Sequence, residues 1–383
     1  MAQRCSAEYS SMKRVCLMQN KKIRFFAVVF ILGLATSAYG QKWLGKTELV
    51  LNLSPTYDNN LLKYSQKYLD RFENREDEGR FHIDTFDDLL LSGYAEIRQS
   101  LKPFGQHSFE LRFRMTGKAH YQNPVKNWQK FNLNVSRKLT SDLKVKLDYG
   151  YLPEFYVRHY RAQAAIDLTG FSPESFKPFV FDKENYTFTL SYKLSKNLEL
   201  DLELDYFKYF HNEYFTEYDS DNWLYAVGLA YKHNRNGTIS GSYSYSFSNA
   251  DGEDIYLAQR ENAELANASY TEELYWLRYD YSLPKILGYK TSINATVRYF
   301  VRYYTTEQFV ELDPLHAGRV DDNFRVYLNY NIRYSRALRL RLFAQFIMRD
   351  SHSSSPYNNG FLSDEKDYKQ YISGVAVTYN LSW

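Results

Sequence analysis

The chain has 383 residues with 48 basic and 45 acidic side chains, a formal net charge of +3, and 37 tyrosines within a 44% hydrophobic content. Such a balance gives no electrostatic footprint for nucleic acid. Beyond residue 40 no apolar run is long enough to span a bilayer as a helix, so a helical membrane protein is excluded as well.

The first segment reads as an export signal. Lys21, Lys22 and Arg24 precede an apolar run over 25–34 broken only by Gly33, and Ala38-Tyr39-Gly40 supplies the small residues of a cleavage site before Gln41. The run is too short to stay in the membrane as a helix. Met18 stands at the natural start of such a signal, which makes 1–17 an extended n-region or a misassigned start. Cys5 and Cys16 both precede the run, so a mature chain from 41 to 383 would hold no thiol, disulfide or cysteine-based metal site. Removal of 1–40 takes away six basic residues and one acidic residue, leaving 42 against 44. The expected organisation is therefore 1–40 signal and 41–383 one domain.

From Lys46 onward the chain alternates apolar and polar residues in segments of strand length. The expected strands are 47–57, 89–101, 108–121, 128–139, 143–157, 186–194, 198–210, 223–232, 238–247, 271–283, 290–304, 323–334, 338–349 and 368–383. Tight polar turns at 140–142, 195–197, 233–237 and 335–337 are interleaved with long stretches at 58–88, 159–183, 249–270, 305–322 and 351–367. A soluble sandwich would also alternate, but its loops need not take turns in length, and no blade-length repeat favours a propeller.

Because strand side chains alternate faces, each strand assigns its own charges. In 338–349, Leu338, Leu340, Leu342, Ala344, Phe346 and Met348 share one face and Arg339, Arg341, Phe343, Gln345, Ile347 and Arg349 the other. The two preceding strands repeat the rule, with Arg325 and Arg333, then Arg298 and Arg302, opposite the apolar face. The strand at 198–210 does the reverse, setting Glu199, Asp201, Glu203 and Asp205 against Leu198, Leu200, Leu202, Leu204 and Tyr206. Arg112, Arg114, Lys118, Lys130, Lys144 and Lys146 form a second basic patch interspersed with Glu96, Glu110 and Asp148.

The last strand closes the pattern. Val375, Val377, Tyr379, Leu381 and Trp383 share one surface and Gly374, Ala376, Thr378 and Asn380 the other. This ending resembles the terminal strand of Gram-negative outer-membrane β-barrels, whose final aromatic and alternate apolar residues are read by the barrel-insertion machinery. The resemblance implies an all-β fold, a transmembrane antiparallel up-and-down barrel of about 14 strands (12 to 16 would fit), with short periplasmic turns and long outer loops. It also implies Tyr379, Leu381 and Trp383 as the insertion signal, both termini in the periplasm, and lipid against the apolar faces. A charge on the lipid face costs a few kcal/mol near the midplane, so the arginines and carboxylates must then point into the lumen.

Little in the chain suggests covalent chemistry. The histidines at 82, 107, 120, 159, 211, 233, 316 and 352 show no metal-ligand spacing, and neither a Gly-x-Ser-x-Gly elbow nor a phosphate loop occurs. His352 and Ser354 have a spacing that resembles outer-membrane phospholipases, but the Asn-Gly that follows the serine there is missing. Tyr57-Asp58-x-Asn60 looks like first-strand endings in export-associated barrels, although turn chemistry alone explains Asp and Asn there. The 58–88 stretch carries Leu61, Leu62, Tyr64, Tyr68 and Phe72 and is the first candidate for a loop folded inward as a lid. The expectation is a porin-like channel for small polar or ionic solutes, with no cofactor and no metal, whose selectivity is set by the arginine wall and the acidic ladder. The barrel could associate as a homo-oligomer, and a secretion, surface-assembly or adhesion component and a lipid hydrolase are the alternative functions.

Overall fold

The computed structural model describes residues 44–101, 109–252, 267–311 and 313–382. The export signal, Cys5, Cys16, His107 and Trp383 lie outside the described residues. Fourteen strands pair antiparallel with their sequence neighbours, and β1 (Leu44–Asp58) closes the ring against β14 (Tyr368–Ser382). Between them run β2 (Asp88–Leu101), β3 (Phe109–His120), β4 (Trp128–Lys138), β5 (Leu143–Arg161), β6 (Phe176–Lys193), β7 (Leu198–His211) and β8 (Ser220–Tyr231). The circuit continues through β9 (Gly237–Ala250), β10 (Tyr270–Ile286), β11 (Tyr289–Tyr304), β12 (Arg319–Arg333) and β13 (Leu338–Ser353). Among the described residues three short helices sit in the long loops: α1 (Gln66–Glu73), α2 (Gln163–Thr169) and α3 (Asn359–Lys366).

The expected strand count and the alternation of loop lengths both hold. Strand bounds differ most at β6, which begins ten residues before its expected limit, while its partner β5 runs four residues past its own. Their extensions pair with each other across two bulges, Phe155 with Phe181 and Arg161 with Phe176, so 159–161 and 176–183 are strand rather than loop. Bulges break the period of two, which hid the extension from pattern reading. At the other end of the barrel, β10 and β11 join through Leu287 and Gly288 with φ of 51° and 82°. Two successive positive φ values are what a tight hairpin turn demands; glycine adopts its angle freely and Leu287 does so under strain.

Outward positions are apolar and exposed around the ring: Leu51, Leu53, Leu91, Met115, Leu147, Phe188, Leu202, Val227, Leu277, Leu328, Leu342 and Val377. Aromatic rings border this band. Tyr149, Tyr186, Tyr206 and Trp223 follow one another across β5 to β8, and Tyr243, Tyr275 and Tyr299 across β9 to β11. Near the short turns Tyr289 meets Tyr334 at 4.7 Å between ring centres. An exposed apolar belt edged by Tyr and Trp is the surface of a barrel wall solvated by lipid.

The closure seam contains one irregularity. β1 and β14 pair from Glu48 to Leu53 and again from Thr56, skipping Ser54 and Pro55. Proline has no N–H to give. The Ser54 hydroxyl donates to the Val375 carbonyl at 3.1 Å and fills the gap.

Candidate functional site

The lumen carries charged walls that run from the short turns up to the outer aromatic row, and a lid across the long-loop end. On β7 the four carboxylates Glu199, Asp201, Glu203 and Asp205 lie on the face opposite exposed Leu202. Ser191 donates to Asp201, and Thr189 to Glu203 at 3.5 Å. Among the described residues no basic group lies within 4 Å of any of the four.

The arginines occupy β11 to β13, four to six strands round a ring in which seven is diametric. Arg298 and Arg325 are direct cross-strand partners, as are Arg333 and Arg339, so like charges stand side by side. Arg298 lies over the Tyr327 ring, Arg325 over Phe300 and Arg341 over Phe343. Arg302 is different, because Glu272 accepts both its Nε and Nη2 at 2.9 and 2.7 Å. Among the described residues, Arg298, Arg325, Arg333, Arg339 and Arg341 have no carboxylate within 4 Å. Three of the six cations in the basic patch on β3 to β5 are paired: Arg114 shares Glu96 with Arg98 of β2, Arg112 meets Glu110, and Lys146 meets Asp148 at 2.8 Å, whereas Lys118, Lys130 and Lys144 have no carboxylate within 4 Å among the described residues.

A polar strip between these walls escaped the sequence reading. Ser240, Ser242, Ser244, Ser246 and Ser248 of β9 alternate with outward Tyr243 and Tyr245, next to Ala226, Gly228 and Ala230 of β8. The signal was present as serine at every second position in Ser-Gly-Ser-Tyr-Ser-Tyr-Ser-Phe-Ser.

The 58–88 stretch folds over the mouth, as its apolar residues led us to expect. Leu62, Tyr64 and Tyr68 form a buried cluster with Leu69, Phe81 and Ile83 around it. Asp58 and Asn60 are the anchors. Asp58 accepts Gln370 Nε2 at 2.8 and 2.9 Å, and Asn60 clasps Tyr64 by donating to its carbonyl and accepting from its N–H, both at 2.8 Å. The Tyr57-Asp58-x-Asn60 signal thus performs turn and tethering work. Within that clasp Lys63 adopts a φ of 54°, a strained conformation for a side-chain-bearing residue.

α3, in the loop that neighbours the first across the β1–β14 seam, packs on α1. Glu365 accepts Lys67 Nζ at 2.6 Å and the Tyr68 hydroxyl, and Ser65 donates to the Asp364 carbonyl. Other loops join the roof. Arg80 of the first loop stacks on Phe176 at 4.9 Å, Asn358 donates to the Pro314 carbonyl at 2.7 Å, and Tyr218 meets His316. Gly79 comes so close to the Pro173 carbonyl that a Cβ would sit 2.4 Å from its oxygen.

Cations are buried under this roof. The Lys126 ammonium donates to the carbonyls of Tyr156 and Val157 at 2.8 and 3.1 Å, and burial pulls its pKa down to about 7. Burial brings Lys63 down to about 8, with Arg325 and Arg349 adding to the effect and Asp58 opposing it. Burial likewise drives the Tyr64 hydroxyl up to about 12.

The histidines stay apart from any metal geometry, and among the described residues no group of three His, Cys, Asp or Glu side chains could hold an ion. His352 faces Asp322 at 3.6 Å and makes no hydrogen bond to Ser354, whose N–H goes to the Gly318 carbonyl. Tyr379 and Leu381 are exposed on the lipid side of β14, in the register read from the sequence.

An even-stranded, closed, antiparallel barrel with short turns at one end, long loops at the other and an aromatic-edged apolar band is an integral outer-membrane β-barrel. No protein-family model matches the sequence, and neither does any curated protein. The fold is similar to that of a bacterial polysaccharide outer membrane secretin, at a TM-score of 0.46 and 6% identity over 88% of this chain and 98% of that one. It is also similar to an anion-selective porin from Comamonas acidovorans, at 0.43 and 10% over 88% and 100% of the two chains. The outer membrane channel DcaP of Acinetobacter baumannii aligns at 0.43 and 10% over 88% and 97%.

Proposed function

We propose that this barrel passes small polar or ionic solutes across the outer membrane, with selectivity set by a transverse field between the acidic ladder and the arginine wall. The observation that supports it is the pattern of pairing. Arg98, Arg112, Arg114 and Lys146 on β2 to β5 each meet a carboxylate, whereas among the described residues Glu199, Asp201, Glu203 and Asp205 have no basic group within 4 Å, and Arg298, Arg325, Arg333, Arg339 and Arg341 no acidic one. Two unpaired walls of opposite sign in a water-filled lumen orient dipolar solutes and admit ions by charge. Arg302, held by Glu272, contributes less to this field than its position suggests.

The α1 and α3 lid makes the described state the closed one, and passage requires the two helices to part. Tyr379, Leu381 and Trp383 serve insertion and take no part in transport. Planar-bilayer conductance of the refolded chain tests the reading. Discrete channels should appear, and replacing the four β7 carboxylates together by their amides should move the reversal potential toward anion selectivity. A barrel that stays electrically silent with its lid removed argues instead for a surface-assembly or secretion component, the reading that the roofed mouth favours.

A further inference from the structure

Four partly buried cations from four parts of the chain meet where the lid touches the wall. Lys63 comes from the first loop, Arg158 from β5, Arg349 from β13 and Lys366 from the end of α3. The Lys63 ammonium and the Arg349 guanidinium flank one ring, Tyr368, at 5.9 and 4.8 Å from its centre. Lys366 and Arg158 flank another, Tyr160, at 5.8 and 5.6 Å. Backbone contacts tie the group together, since Arg158 donates to the carbonyls of Leu62 and Lys63, and Arg349 donates twice to the Lys366 carbonyl at 2.8 and 2.6 Å.

The nearby carboxylates are already engaged. Glu365 holds Lys67 and Tyr68, Asp58 holds Gln370, and Asp321 is gripped by both Nε and Nη2 of Arg319 at 2.7 and 2.6 Å, leaving Arg349 at 4.0 Å. Among the described residues neither the Lys63 nor the Lys366 ammonium donates to an acceptor. Arg158 Nε, Arg325 Nε and the Tyr64 hydroxyl are buried beside them without hydrogen-bond partners. Buried donors without acceptors are costly, and so are buried like charges without a counter-charge. One multivalent oxyanion satisfies both demands, because its oxygens accept several charge-assisted hydrogen bonds at once.

We propose that the underside of the lid is a binding site for a dissolved oxyanion carrying phosphate or carboxylate groups, held by Lys63, Lys366, Arg158 and Arg349. The site goes beyond solute passage, since it would bind whether or not the lumen conducts. It also gives the lid a ligand, because two of its four cations belong to the loops that form the roof.

Isothermal titration of inorganic pyrophosphate into the refolded chain, in zwitterionic detergent at low salt, tests this. One saturable site is expected. Lys63→Gly and Lys366→Met should each weaken it about tenfold or more, while Lys196→Met, in an exposed turn at the other end, should leave it unchanged. Lys63→Gly is the decisive variant, because glycine adopts the positive φ of this position without strain and the barrel should keep its folded gel mobility. Absence of saturable binding, or unchanged affinity in Lys63→Gly, overturns the proposal. Saturable binding of lipopolysaccharide aggregates but not of pyrophosphate would assign the site to the lipid layer and overturn the dissolved ligand. Bilayer conductance is read separately: channels without pyrophosphate binding refute this site alone, and binding by a non-conducting barrel refutes the pore alone.

Discussion

Leu328 and Asn329 are adjacent on β12, and the barrel sends them into different solvents. Leu328 is 52% exposed on the lipid side, between Ala295 of β11 and Ala344 of β13. Asn329 points inward and donates to Asn294 at 2.7 Å. Phe324, registered with Tyr299, belongs to the outer aromatic row, and Tyr334, against Tyr289, to the row near the turns. At a rise of about 3.3 Å per residue and a tilt of about 40°, the ten residues between them span about 25 Å of membrane normal, the height of an apolar band. Leu328 then lies about 10 Å below the outer row and close to the midplane. An arginine there costs about 2 to 4 kcal/mol, which is about a 30- to 1,000-fold loss in the folding equilibrium. Asn329→Arg forfeits one hydrogen bond, about 1 kcal/mol, and leaves its charge in lumen water. Urea titration of both variants in phosphatidylcholine vesicles, read by the folded gel mobility, measures the difference. Equal losses, or the larger loss at 329, would refute the assignment of faces and with it the sign of every lumen charge.

The seam between β1 and β14 should weaken by about 1 kcal/mol in Ser54→Ala, which leaves the Val375 carbonyl without its donor, and the unfolding temperature of the barrel should fall. Glu365→Gln severs the Lys67 ion pair that latches α1 to α3, so it should raise the open probability in single-channel recordings; an unchanged value would remove the latch. The lid should also tighten as pH rises from about 7 to 10. Lys63 and Lys126 have pKa values of about 8 and about 7 when buried and return to 10.5 when released, so the open state binds more protons across that window. Below pH 7 both states are protonated and the effect is flat. Arg325, Arg349, Arg158 and Lys118 are the cations that face these ammonium groups, and Asp58 is the carboxylate that opposes them. Spin-label distances from Glu73 across the mouth should show the open fraction falling with pH; a rise would reverse the sign of the argument.

The barrel was legible because lipid forces every strand to repeat the same alternation. Leu202, Leu328 and Val377 face out because no charge survives there, and that constraint alone directed Asp201, Arg325 and Thr378 inward. The lid was legible only in part. Leu62, Tyr64 and Tyr68 announced apolar anchors in a loop, but α3 carries a single buried apolar residue, Leu362, and its face toward α1 is made of Asp364 and Glu365. A polar contact has no period, so nothing in 351–367 pointed to it. The same holds for the cation cluster. Lys63, Arg158, Arg349 and Lys366 lie between 63 and 366 in the chain with no common spacing, and only closure of the ring brings the first loop and the last against β5 and β13. Pairing obeys the same logic in the lumen. Alternation placed Arg302 with the unpaired arginines, whereas its neutralisation by Glu272 follows from the β10 to β11 register, in which those two residues are direct partners. A sequence period therefore fixes which solvent a side chain meets, and cross-strand register then decides whether its charge is spent within the wall or left to act on the lumen.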